Sequence, residues 1–178
     1  MKLTIACYGL FAFGGMIAIA PDLMAATTTQ HQTAPAAPTA VKISQNLVNF
    51  ESELLKLTNL ERKKLGLAAL RRSPQLAQAA QSHAVDMAKN NYFSHRGLNG
   101  SSMADRVKRS GYAYSTIGEN IAAGKATPEG TIRQWMNSPG HRANILNSKF
   151  TEIGFGYANA PNSPYRHYWV QVFGKPQR

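Results

Sequence analysis

The chain has 178 residues, 43% of them hydrophobic and 16% charged, with a formal net charge of +11. That is enough apolar material for one folded domain of ordinary size, and a single cysteine excludes a disulfide framework. The basic excess points to anionic partners, while the lack of any alternation of basic and aromatic residues argues against a nucleic-acid groove.

The chain begins with Lys2 and then "LTIACYGLFAFGGMIAIA", eighteen residues without a charge, followed by Pro21, Asp22 and the small residues of "LMAATTT". This is the pattern of an export signal over residues 1–25, with cleavage expected near Ala25 or Ala26. The run is also long enough to stay as an uncleaved membrane anchor. Cys7 lies inside the apolar run, so the exported chain is expected to carry no cysteine and to depend on packing for stability. Removal of Lys2 and Asp22 leaves the charge balance at +11. Residues 26–43, rich in Ala, Thr, Pro and Gln, read as a disordered linker, and His31 within it as an ordinary tail residue.

From Ser44 onward the pattern is that of one folded domain, 44–178. Leu47, Phe50, Leu54, Leu57 and Leu60 recur at three and four residues, which predicts an amphipathic helix stopped at Gly66. A second helix starts with Ser73 as cap and Pro74 in the first turn, and places Leu76, Ala79, Ala80, His83 and Met87 on one face. Ser102 and Asp105 stand at capping-box spacing for a short third helix that ends at Gly111. Thr127 and Pro128 open a fourth, with Ile132, Trp135 and Met136 turned inward, and Ser138 reads as the cap of "PGHRANIL". The period shifts to two in "EIGFGYA" and "HYWVQVFG", which predicts an antiparallel hairpin joined by "NAPNSPYR"; "TIGENIAAG" supplies a third strand. The fold class is α+β, with helices packed on a small antiparallel sheet in three layers.

The segments "LTNLERKKLGLAAL", "AAQSHAVDMAKNNYFSH", "GENIAAG", "WMNSPGHRANILNSKFTEIGFGYA" and "YWVQVFG" follow one another in this order. Together they resemble the bacterial, cysteine-free branch of the CAP superfamily, whose members include cysteine-rich secretory proteins, antigen five and plant pathogenesis-related proteins. The module is also called the SCP domain. The resemblance runs from about Leu47 to Gly174 and implies an α-β-α sandwich, extracellular placement, and a cleft lined by two histidines and two acidic residues; the export signal by itself implies secreted or periplasmic placement. Residue by residue, it carries the histidines onto His95 and His141 and the first acid onto Glu119. Where eukaryotic members carry the second acid, this chain has Ser138.

Two neutral imidazoles facing each other suit zinc or another divalent cation, with Glu119 as a further ligand or as the acceptor that orients one ring. The other reading of His95, Glu119 and His141 is a hydrogen-bonded cluster that holds the loops, with Asn120 and Asn144 fixing neighbouring backbone. His83 reads as a satisfied core histidine, His167 as a rim residue, and Trp135 and Trp169 as core. Ser94 and Ser138 lie near histidines, but no nucleophile elbow surrounds either.

Two functions follow. The first is a secreted, non-enzymatic module that binds an envelope, lipid or host component through the His/Glu cleft or a basic face, with Arg62 to Lys64, Arg71 with Arg72, and Lys108 with Arg109 as its charge clusters. Its expected partners are anionic envelope polymers or lipids at the membrane surface, and no nucleic acid. The second is a divalent-metal-dependent, peptidase-like hydrolase with His95 and His141 as ligands and Glu119 as ligand or general base.

Overall fold

The computed structural model describes the backbone of residues 38–177 and the side chains of residues 49–177. The expected signal, its alternative as an anchor, Cys7 and His31 all lie outside the described residues. Among the described residues no helix is long and apolar enough to cross a membrane.

Helix α1 spans Pro38–Lys63, so it begins inside the segment read as linker. Gly66 ends it as expected, with a left-handed φ of 68°. Strand β1 (Arg71–Arg72) and helix α2 (Pro74–Lys89) follow, then α3 (Met103–Arg109), β2 (Tyr114–Ala123), α4 (Pro128–Met136), α5 (Pro139–Ile145), β3 (Glu152–Ala160) and β4 (Arg166–Pro176). Ser73, Ser102 and Thr127 each cap their helix through the side-chain oxygen, and Ser102 with Asp105 completes the box. Ser138 occupies the equivalent position before α5, but its side chain makes no capping hydrogen bond, contrary to the sequence reading.

The sheet order is β1-β3-β4-β2. β3–β4 and β4–β2 pair antiparallel as predicted, whereas β1 adds a parallel edge, so the sheet is mixed. Two residues carry no alternation to read; Arg71 and Ser73 join this edge by donating backbone N–H groups to Thr151 and Ile153.

Helices cover both faces. On one side α2 and α3 enclose Leu76, Ala80, Met87 and Val107 against Ile121, Tyr168, Val170 and Val172. On the other, α1, α4 and α5 bring Leu54, Ile132, Trp135 and Ile145 onto Ala122, Phe155, Trp169 and Phe173. Odd and even residues of β4 thus serve opposite cores, as the pleat requires.

Leu60 departs from expectation, being half exposed. The buried stripe of α1 runs instead through Leu54, Thr58 and Arg62, four residues apart, and two of these are polar. Thr58 Oγ1 accepts from Gln171, and Arg62 donates to the carbonyls of Ala68, Ile145 and Asn147 at 2.8–2.9 Å. Arg62 is therefore a buried strut between α1 and the end of α5, and it leaves the basic cluster assigned to it.

Helix α2 lies on β3 almost backbone to backbone. A Cβ on Gly154 would stand 2.0 Å from the Ala77 nitrogen, and one on Gly156 would stand 2.4 Å from the Ala80 carbonyl. Gly156→Ala is expected to lower unfolding stability by about 3 kcal/mol through overpacking. Gly140→Ala, where a Cβ meets nothing within 4 Å, is expected to change it by under about 1 kcal/mol. Urea unfolding of both variants checks the contrast.

Candidate functional site

β2 is an edge strand of the sheet, and the site is built around its centre. Glu119 and Asn120 are neighbours on this strand and point to opposite faces. Glu119 faces the α2–α3 side and Asn120 the α5 side.

The loop after α2 is tied back onto its own helix before it delivers His95. Tyr92 donates its backbone N–H to Met87 O and its hydroxyl to Asp86. The buried His83 holds the carbonyl of Ser94 at 2.9 Å through Nε2. His83 is thus a core residue as read, although its Nδ1 is buried without a partner among the described residues. Burial, the largest influence, holds its pKa below the usual histidine value, so it is neutral at pH 7.

His95 Nδ1–H donates to Glu119 Oε1 at 2.8 Å, which leaves Nε2 as the ring nitrogen turned away from the carboxylate. The imidazole is half exposed, while the Glu119 carboxylate is 3% exposed. Its second oxygen, Oε2, accepts from Arg106 at 2.7 Å. Arg106 reaches it from α3, is 5% exposed, and also donates to the carbonyls of His95 and Ser101. Burial alone would raise the Glu119 pKa, but the hydrogen bond from His95 and the adjacent Arg106 charge outweigh it, and the group stays below its usual 4.5.

A polar chain continues through the sheet. The Asn144 amide donates to Glu119 O at 3.2 Å and to Asn120 Oδ1 at 2.8 Å. Asn120 donates to His141 O and to Gln171 Oε1, each at 3.0 Å, and Gln171 passes the chain to Thr58. His141 is held by its backbone on the α5 side of the edge. Burial first, and then the charge of His95, depress its pKa below 6.5, and its Nδ1 is buried without a partner among the described residues.

His95, Glu119, His141, Asn120 and Asn144 are therefore joined in one neighbourhood. A recess of about 330 Å³ beside them is lined by His95, Arg96, Ser102, Met103 and Glu119. Ser138 instead lines a second recess, of about 450 Å³, with Lys125 and Arg133. His167 stays at the rim, bonded to the Tyr157 hydroxyl at 2.8 Å. Trp135 and Trp169 are core. Arg106 escaped the sequence reading, although its spacing from Met103 and Val107 puts it on the inward face of α3.

The donor set does not fit a zinc centre with three protein ligands. Both Glu119 oxygens are engaged, one of them by a cation, and among the described residues no group of three or more His, Cys, Asp or Glu converges. The Glu119 carboxylate is 3% exposed and accepts a hydrogen bond on each oxygen, which places it poorly for the work of a general base.

The CAP family model, described as the cysteine-rich secretory protein family, matches residues 55–173. The chain belongs to the CAP family. Bacillus subtilis YkwD is 40% identical to it over 148 residues, covering 83% of this chain and 53% of that protein. An extracellular protein containing an SCP domain, from Bacillus anthracis, superimposes with a TM-score of 0.69 at 33% identity, over 80% of this chain and 45% of that one. An outer surface protein from Borrelia burgdorferi shares the fold, with a TM-score of 0.61 at 24% identity over 80% of this chain and 97% of that one. The chain thus spans about half the length of the two Bacillus relatives.

The site is expected to make this CAP domain acid-labile. Glu119, with a folded pKa below 4.5, contributes stability that is present above pH 4.5 and lost as pH falls through its lowered value. His83 and His141, with pKa values below 6.5, add a loss that begins below pH 6.5, because the unfolded chain takes up their protons first. Glu119→Gln should flatten the slope below pH 4.5 and, by leaving Arg106 buried without its carboxylate, lower stability at pH 7 by about 3–5 kcal/mol. Urea unfolding from pH 7 to pH 3 measures both effects.

Proposed function

We propose that this CAP domain is a binding module that works outside the cytoplasm and takes up an anionic envelope component, without a catalytic step. The observation that carries this reading is the Glu119 carboxylate, bonded on one oxygen by His95 and on the other by Arg106. A buried carboxylate satisfied in this way suits a rigid scaffold better than proton transfer, which needs an oxygen within reach of the substrate. The scaffold presents a half-exposed imidazole, the exposed Arg96 and the thioether of Met103 around one recess. A cation beside an apolar side chain suits a lipid headgroup and the start of its chain.

Placement outside the cytoplasm is supported by the Bacillus anthracis relative, which is an extracellular protein. The anionic character of the partner is supported by the net charge of +11. The exposed basic surface is narrower than the sequence suggested. Arg62 is buried, Arg72 pairs with Glu51 at 2.7 Å, and Lys64 pairs with Glu61 at 2.5 Å. Lys108 and Arg109, both exposed on α3, remain available for long-range attraction.

Sedimentation of purified protein with phosphatidylglycerol vesicles, with phosphatidylcholine vesicles and with extracted envelope fractions tests this. Binding to the anionic surfaces is expected, with weakening as salt rises. Arg96→Ala should reduce it about fivefold or more, since that cation lines the recess. Equal retention on both vesicles and envelope fractions by the Arg96→Ala variant would contradict the reading. So would zinc in the purified protein together with a hydrolytic activity, both lost in His95→Ala plus His141→Ala.

A further inference from the structure

The second recess is distinct in its lining from the one at His95. It is formed by Lys125, Gly130, Arg133, Gln134, Asn137 and Ser138, where the turn after β2 meets α4 and the start of α5. Its volume of about 450 Å³ falls within the range of small-molecule sites, roughly 300–1,000 Å³. No carboxylate lines it. Neither Lys125 nor Arg133 takes part in an ion pair among the described residues, and Glu129, one turn before Arg133, is not part of the lining. The side chains of Gln134, Asn137 and Ser138 make no hydrogen bond among the described residues either, and Ser138 leaves its capping role unfilled. Two cations, two amides and a hydroxyl therefore converge with their bonding capacity free.

The backbone that carries them is fixed. The buried Trp169 donates its indole N–H to the Lys125 carbonyl at 2.7 Å, and Gly124, with φ at 89°, donates to His167 O. Thr127 caps α4, Thr131 returns a bond to Thr127 O, and Trp135 and Ile132 anchor the opposite face of the helix. Asn137 and Ser138 donate their backbone N–H groups to Arg133 O and Trp135 O, so the α4–α5 corner is tied to the same helix. The stem of Lys125 lies over Gly130, at 3.5 and 3.7 Å from where a Cβ would be.

We propose that this recess binds an anionic group carried on a hydroxylated unit, a phosphate or carboxylate on a sugar or polyol. Arg133 and Lys125 supply charge-assisted bonds to the anion, and Gln134, Asn137 and Ser138 supply donors and acceptors to the hydroxyls. Uncharged partners contribute direction, since amides and hydroxyls both donate and accept. The inference is independent of the His95 recess, whose residues take no part in it.

The test is a titration of the ¹⁵N-labelled purified protein, followed by NMR, with glycerol 3-phosphate, glucuronate and inorganic phosphate. Saturable shifts centred on residues 125–138 are expected with at least one of the two organic anions, and tighter than with inorganic phosphate. Which of the two binds identifies the anion as phosphate or carboxylate. Arg133→Ala and Lys125→Ala should each weaken that binding about tenfold, and Lys89→Ala, an exposed cation at the end of α2, by under about twofold. The proposal is overturned if neither organic anion saturates, if inorganic phosphate binds as tightly, or if the three variants weaken binding equally. Because His95 and Arg96 are untouched in these variants, failure here leaves the reading of the first recess standing.

Discussion

The buried pair between Arg106 and Glu119 is the constraint on which the rest of the site depends. Neither side chain has meaningful contact with solvent, and each charge is tolerable only beside the other. The pair ties together three successive pieces of chain: the loop that carries His95, helix α3 and the edge strand β2. Once Glu119 is ionised and oriented by Arg106, its remaining oxygen fixes the His95 ring through Nδ1. The orientation of the exposed nitrogen at the recess is thus set by a bond made inside the protein.

The asymmetry of the sheet explains why polar groups collect at β2. Its inner neighbour β4 is buried along most of its length by apolar residues on both faces, whereas β2 has one side without a strand partner. Asn144 uses that side, donating from α5 to the Glu119 carbonyl, and Asn120 with Gln171 carries the bonding across the β2–β4 register. An edge that would otherwise invite pairing with another chain is covered by side chains that also position the two histidines.

Much of this was readable from the residues, and the gaps have definite physical causes. Capped helices were found because Ser73, Ser102 and Thr127 stand at positions where a side-chain oxygen is needed, and the strands β3 and β4 because their cores alternate. Strand β1 escapes the sequence pattern because two exposed arginines have no period. The inward face of α1 departs from the periodicity at Leu60 because a hydrophobic pattern cannot register Thr58 and Arg62, which are buried by virtue of partners on β4 and α5. The same limitation hid Arg106. Its carboxylate lies thirteen residues away on a strand, and a basic residue in a basic chain gives no local sign that it is paired inward. The neighbourhood of His95, Glu119 and His141 came from the family resemblance, and the bonds that engage both oxygens of Glu119 could come only from three dimensions.

A double-mutant cycle in urea at pH 7, comparing Arg106→Met, Glu119→Gln and the two together with the unmodified protein, tests the central claim most directly. The account predicts that each single change costs about 3–5 kcal/mol and that the double variant loses at least about 2 kcal/mol less than the sum, because the second substitution removes a charge already stranded by the first. Additive losses within about 0.5 kcal/mol would show that the two groups act independently, and would contradict the clamp at the edge of the sheet.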